Sequence, residues 1–236
     1  MPKKKLDKYG NDDEQESIGD IYLFYPISDF LLGPLHFLGF KPNHITLLST
    51  IFTFTGIYFF YINQLLFCTT FYLMGYLLDS IDGRMARKYN EGTTFGMMID
   101  MVSDITSNGP LVIVFALKTF NFVRLILLFS ILVFICLFSR TFGINEAIIS
   151  YIESKDDNFY KYKKKIVDKT IYKNSLLARV YLFINYVSYC TYRKSFQNKI
   201  NDKNIEDLRK KLLYLKEFGS GNFCLYVTFL MYIFLT

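Results

Sequence analysis

The sequence predicts an all-α integral membrane protein, a bundle of about six transmembrane helices preceded by an N-terminal helix lying in the membrane interface. Three observations predict it. Hydrophobic residues fill 52% of the 236 positions and charged residues only 20%, and the charges fall in blocks rather than along every helix, unlike a soluble domain of this length. Several apolar runs are long enough to cross a hydrocarbon core of about 30 Å at ~1.5 Å per residue. The net charge of +6 is concentrated in MPKKK at the start, RMARK in the middle and KYKKK near residue 163, beside those runs. Basic blocks so placed mark the cytoplasmic face of a lipid bilayer, and no nucleic-acid partner is expected.

Taken in order, residues 1–20 are polar and of mixed charge and are expected to be disordered. No cleavable signal peptide is expected in them, and the first membrane helix is expected to act as the targeting signal. Residues 21–41 are apolar but interrupted by Pro26, Gly33 and Pro34, which suits a short interfacial helix better than a span. Spans are expected over 43–64, over 65–78 with the helix running on into the acidic block that follows, from near Phe95 to about Leu117, and over roughly 122–143. A polar stretch at 150–174 follows, then an apolar segment at 176–192, a charged segment at 193–217, and the apolar end GNFCLYVTFLMYIFLT.

The RMARK and 150–174 loops fall on one side of the membrane. If 176–192 spans, the basic 193–217 segment lies on the other side, against the positive-inside tendency; if it lies in the interface, about five helices cross. Cys68, Cys136, Cys190 and Cys224 lie in apolar segments without paired spacing and read as small hydrophobes. No internal repeat is present.

The chemistry concentrates in DSIDGRMARKYNEGTTFGMMIDMVSD, residues 79–104. Asp79 and Asp82 are three apart, and Asp100 and Asp104 four apart, so each pair occupies one face of its helix. Gly92, in the connection, is expected to turn the chain back so that the two helices lie side by side and all four carboxylates converge. Four carboxylates beside lipid repel one another and lose hydration. Divalent cations relieve both costs, and hard oxygen ligands favour Mg2+, with Mn2+ or Ca2+ as substitutes. Two cations bridged by carboxylates would clamp a pyrophosphate. Gly83 leaves room for a ligand near the helix backbone, Ala86 keeps the same wall low, and Arg87 offers a fork of donors to phosphate oxygens. Gly96 allows close packing or close ligand approach where the third span starts. His36 and His44 show no ligand spacing. Arg124, Arg140 and Arg179 lie in or beside apolar segments, where snorkelling to the interface is the commoner role for an arginine.

These residues resemble, position for position, the signature of the CDP-alcohol phosphatidyltransferase family, D-x2-D-G-x2-A-R-x8-G-x3-D-x3-D. Its fixed positions here are Asp79, Asp82, Gly83, Ala86, Arg87, Gly96, Asp100 and Asp104. The clear resemblance covers about residues 42–118, and 42–236 is read as one membrane domain of this kind behind a tail and interfacial helix at 1–41. The resemblance implies a homodimeric six-helix fold with its site open to the cytoplasmic leaflet. It implies a metal-dependent transfer from a CDP-linked donor to an alcohol, releasing CMP, with two Mg2+ or Mn2+ ions per site. Asp79, Asp82 and Asp100 would bind metal, Asp104 would be both metal ligand and general base, and Gly83 and Arg87 would contact the donor.

Within the family, EGTTFGMMIDMVSD is most similar to the phosphatidylinositol synthase branch, which implies CDP-diacylglycerol as donor and inositol as the small polar alcohol. That likeness adds Thr93 to the donor-binding set. One position departs: many inositol enzymes carry Arg directly after the last Asp, where this chain has Ile105. KPNHIT at 41–46 resembles the P-N-x-I-T start of the first helix common in aminoalcohol phosphotransferases, which use CDP-choline or CDP-ethanolamine with diacylglycerol. Asn43 and Thr46 would then face the nucleotide, or equally cap the helix where it enters the membrane. SNGPL after Asp104 is faintly similar to phosphatidylserine synthases. The reading from another class is a non-catalytic transporter or scaffold, in which charges would be expected deep within several helices rather than at one hairpin.

Overall fold

A computed structural model describes residues 16–195, 200 and 205–235, and the expected tail over 1–15 lies outside them. Every regular element among the described residues is helical. A π-helical stretch, Asp20–Phe24, runs directly into α1 (Tyr25–Phe37), followed by α2 (Pro42–Tyr61), α3 (Leu65–Lys88), α4 (Thr94–Leu117) and α5 (Phe122–Ser154). Then come α6 (Phe159–Asp168), α7 (Leu176–Ser195), α8 (Ile205–Leu215), a 3-10 turn at Lys216–Phe218, and α9 (Ser220–Leu235). The chain forms two compact units, one of residues 18–133 with the C-terminal helix, the other centred on 134–219.

In the first unit α2 and α3 form an antiparallel hairpin with unusually close backbones. A Cβ on Gly56 of α2 would stand 2.7 Å from the Tyr72 nitrogen of α3, and one on Gly75 of α3 would collide with Thr53 of α2. Where lipid supplies no hydrophobic drive between helices, such small residues let van der Waals contact hold them. Aromatic rings fill the rest of the seam, with Phe59 stacked on Phe67 and Phe71. Helix α1 runs parallel to the second half of α3. Phe24 meets Tyr76 edge-on, Ser28 Oγ donates to Ser80 Oγ at 3.1 Å, and Arg84 grips Asp29 with two hydrogen bonds of 3.1 and 2.6 Å. His36 closes the row, stacked on Tyr89 and 3.2 Å from Glu91.

Three helices among the described residues are long and apolar enough to cross a membrane: α2, α4 and α5. Helix α9 is apolar but has 16 residues, and the aspartates and basic residues of α3 keep it out of that group. Apolar side chains of α5 point outward, Phe122, Phe129 and Val123 each more than 60% exposed, a cost in water that lipid removes. The chain is thus an all-α integral membrane protein.

Four details differ from expectation. Helical structure begins at residue 18, inside the stretch expected to be disordered, because Asp20 is buried and used: it accepts from Tyr76 Oη at 2.7 Å and from the Gly221 N–H at the start of α9 at 3.1 Å. Helix α5 runs to Ser154 rather than 143, because Ile144, Ala147, Ile148 and Tyr151 keep helical spacing after the apolar run ends and pack into a core with Phe159, Tyr192 and Leu208. The polar 150–174 stretch contains α6, whose Phe159 and Val167 are fully buried. In that second unit Lys163 pairs with the buried Glu146 at 2.9 Å, and Arg193 with Asp157 at 3.5 Å. Tyr162 donates to Glu153, and burial together with that carboxylate pushes its phenol up to about 12. Finally, the turn after α3 is made by Asn90, at φ 55°, and not by Gly92, whose φ is not positive. Asparagine tolerates the left-handed conformation.

Candidate active site

The acidic residues arrive on two helices that meet through a third. Helix α2 packs along both α3 and α4, whereas the backbones of α3 and α4 approach each other little. This differs from two acid-bearing helices lying side by side. The bracing is done by the first turn of α2. Gly39 (φ 84°) reverses the chain, Lys41 is extended, and Pro42 opens the helix, where its missing N–H costs nothing. One turn then presents Asn43 and Thr46 on a common face.

Thr46 Oγ1 donates to Asp82 Oδ2 of α3 at 2.5 Å, and both residues are buried, 3% and 5% exposed. Asn43 reaches the other helix, its Oδ1 lying 2.7 Å from where a Cβ on Gly96 of α4 would stand. Gly96 therefore serves the close-packing option here. Thr93 has the extended N-cap conformation, and its hydroxyl accepts from the Gly96 N–H at 2.9 Å, satisfying a donor at the helix start.

Against this frame Asp79, Asp82 and Asp100 come together: one carboxylate oxygen from each lies within 4.8 Å of the others. Asp79 and Asp100 are half-buried and Asp82 buried. Three hard oxygen donors from two helices, at that spacing, fit a divalent cation. The fourth expected member is not in this group. Asp104 stands one turn further along α4 and is exposed, with its carbonyl accepting from Asn108 Nδ2 at 2.8 Å. Asn108 Oδ1 in turn accepts from Tyr72 Oη of α3 at 3.3 Å, a polar link between the acid-bearing helices just past Asp104.

On the outer side of Asp82, Gly83 and Arg87 share a face. A Cβ on Gly83 would meet the Arg87 guanidinium at 3.4 Å, ordinary contact, so this surface is open and cationic. Arg87 is exposed and Ala86 half-buried. The neighbouring Arg84 does a different job, lying over the Tyr25 ring at 4.4 Å while it grips Asp29. Sequence reasoning passed over Asp20, Asp29 and Arg84. The signal that would have found Asp29 is its isolation: a lone carboxylate in the apolar stretch 21–41 needs a partner.

The described residues thus bring three carboxylates from two braced helices to a spacing that fits a divalent cation, beside an exposed arginine. The CDP-alcohol phosphatidyltransferase family profile matches residues 40–194, and the chain belongs to that family. It is 40% identical over 78 residues to the human CDP-diacylglycerol–inositol 3-phosphatidyltransferase, covering 33% of this chain and 36% of the human protein. The enzyme of that name from Saccharomyces cerevisiae is 38% identical over 76 residues, covering 32% and 34%. An uncharacterized protein of Aquifex aeolicus is 39% identical over 83 residues, 34% of this chain and 42% of that protein. The matched stretch thus spans less than half the length of each of these relatives. No solved structure matches significantly.

Proposed function

We propose that this chain synthesises a phospholipid by transferring the phosphatidyl group of CDP-diacylglycerol to a hydroxyl of inositol, with release of CMP. The carrying observation is the convergence of Asp79, Asp82 and Asp100. The inositol enzymes among its relatives supply the acceptor.

In this reading Asp79, Asp82 and Asp100 hold two Mg2+ or Mn2+ ions, with Asp104 as a further ligand. Cations held there would withdraw charge from the phosphorus and stabilise the leaving phosphate oxygen. Arg87 donates to the donor's phosphate oxygens across the open face of Gly83, with Ala86 keeping that wall low. Asp104, exposed one turn beyond the cluster, takes the proton of the acceptor hydroxyl. The acceptor oxygen bonds to the phosphorus that carries diacylglycerol, and the bond from that phosphorus to the CMP oxygen breaks. Asn43, Thr46, Thr93 and Gly96 shape the donor pocket by fixing the helices around it. Residues 42–236 act as one catalytic membrane domain, as a homodimer, with the site facing the cytoplasm and α1 lying in the interface.

The test is a panel in reconstituted membranes with Mg2+ or Mn2+. CMP should convert phosphatidylinositol back to CDP-diacylglycerol, and CDP-diacylglycerol should label inositol but not serine or glycerol phosphate. Transfer from CDP-choline to diacylglycerol, or no exchange with any CDP-linked donor, would overturn the assignment.

A further inference from the structure

Outside the aspartate site, the strongest unabsorbed feature is helix α6. Lys161, Lys164, Lys165 and Lys169 follow one another at i, i+3, i+4 and i+8, which places them on one stripe, and all four are exposed. The opposite face is committed to the protein: Phe159 and Val167 are fully buried, and Lys163 turns inward to Glu146. Asp168 is the one acidic residue of α6, and Lys161 comes no nearer than 3.9 Å to Asp156, both of them exposed. Asp168 is exposed at i+4 from Lys164, on the same stripe, which still sets four lysines against one carboxylate and carries net positive charge.

The polar segment that follows exposes two aliphatic side chains. Ile171 is 88% and Leu176 77% exposed, with Tyr172 between them and Lys173 exposed beside it. Helix α6 is fixed against α7, Phe159 packing edge-on to Tyr189 and Tyr160 to Tyr186. On α7, Phe183, Tyr186 and Val187 are likewise about half or more exposed. A lysine stripe leading into exposed aliphatic side chains is the composition of a surface that rests on a bilayer, cations at the headgroups and apolar side chains below them. A polyanion such as RNA would satisfy the lysines and leave Ile171 and Leu176 in water.

We propose that the lysine stripe of α6, with Ile171 and Leu176, is a docking surface for the anionic phospholipid headgroups of the membrane that holds the chain. It is independent of the reaction assigned to the aspartates. The chain has no tryptophan, so Ile171→Trp introduces a single reporter at the most exposed apolar position. The full chain carrying it is reconstituted into bilayers of phosphatidylcholine with brominated acyl chains, with or without phosphatidylserine. Quenching of the reporter should be several-fold stronger with phosphatidylserine, weaken as salt is raised, and fall to the neutral-bilayer level when Lys164→Gln, Lys165→Gln and Lys169→Gln are combined. Equal quenching in both bilayers, no quenching in either, or quenching that survives loss of the three lysines would each overturn the proposal. Unchanged circular dichroism and detergent melting of the lysine variant show that a lost signal is not unfolding.

Discussion

The hydroxyl of Thr46 reaches from the first turn of α2 to donate to Asp82 Oδ2 at 2.5 Å, and Asp82 is a member of the aspartate cluster. A buried carboxylate so held cannot swing about its last bond, and outer hydrogen bonds of this kind orient metal ligands. Thr46→Val keeps the shape and removes the bond. A hydrogen bond to a charged group contributes about 1.5–3 kcal/mol, so a lower melting temperature is expected. Metal affinity should weaken by roughly 10–100-fold, read as a higher Mn2+ requirement for transfer and a weaker Mn2+ binding isotherm. Thr46→Ser should restore both.

The grouping of three aspartates apart from the fourth separates two kinds of loss. Asp79→Asn or Asp100→Asn should raise the metal concentration needed for activity and weaken direct Mn2+ binding. Asp104→Asn should cut the transfer rate by about 10²–10⁴-fold, the usual contribution of a positioned base, while Mn2+ binding weakens less than in Asp100→Asn. Loss of Mn2+ binding in Asp104→Asn to the same degree as in Asp100→Asn would remove the distinction.

Glycines in this chain carry opposite expectations. Gly56→Ala places a methyl 2.7 Å from the Tyr72 backbone, where nothing can yield without parting α2 from α3. A destabilisation of about 1–3 kcal/mol follows from overpacking. A Cβ on Gly33, within α1, meets nothing within 4 Å. Gly33→Ala should therefore stabilise by roughly 0.5–1 kcal/mol through helix propensity. Thermal unfolding in one detergent compares the pair.

Arg84 and Asp29 form a two-toothed pair, with the Asp29 side chain 49% exposed. An exposed ion pair is worth about 0.2–1 kcal/mol, so Asp29→Ala should cost little. Arg84→Ala also loses the stack on Tyr25 and should cost more. A double-mutant cycle isolates the ion-pair share, which should shrink with added salt.

Much of this architecture is legible in the residues. The spacing of Asp79 with Asp82, and the apolar runs around them, place α3 and α4 to within a few positions, because helical period and bilayer thickness leave little freedom. Three things were not legible. Which helix braces the acids depends on tertiary packing: nothing local in Asn43 or Thr46 says that one touches α4 and the other α3. The length of α5 was hidden because Ile144, Ala147 and Ile148 are spaced for a helix but embedded in polar sequence, so a search for continuous apolar residues stops too early. Asn90 took the reversing role expected of Gly92 because either residue accepts a left-handed backbone, and sequence alone does not choose between them.

The first turn of α2 has a consequence for the membrane itself. Asn43 and Thr46 stand in the first turns of α2, a helix of 20 residues about 30 Å long and apolar enough to cross a hydrocarbon core. A helix matched to its bilayer tilts when the lipid thins. Tilting this one would move the two residues that fix how far apart α3 and α4 hold their acids. If the proposed metal site holds, acyl-chain length would then act on how α3 and α4 space their acids, and a host membrane of different thickness would change the metal requirement.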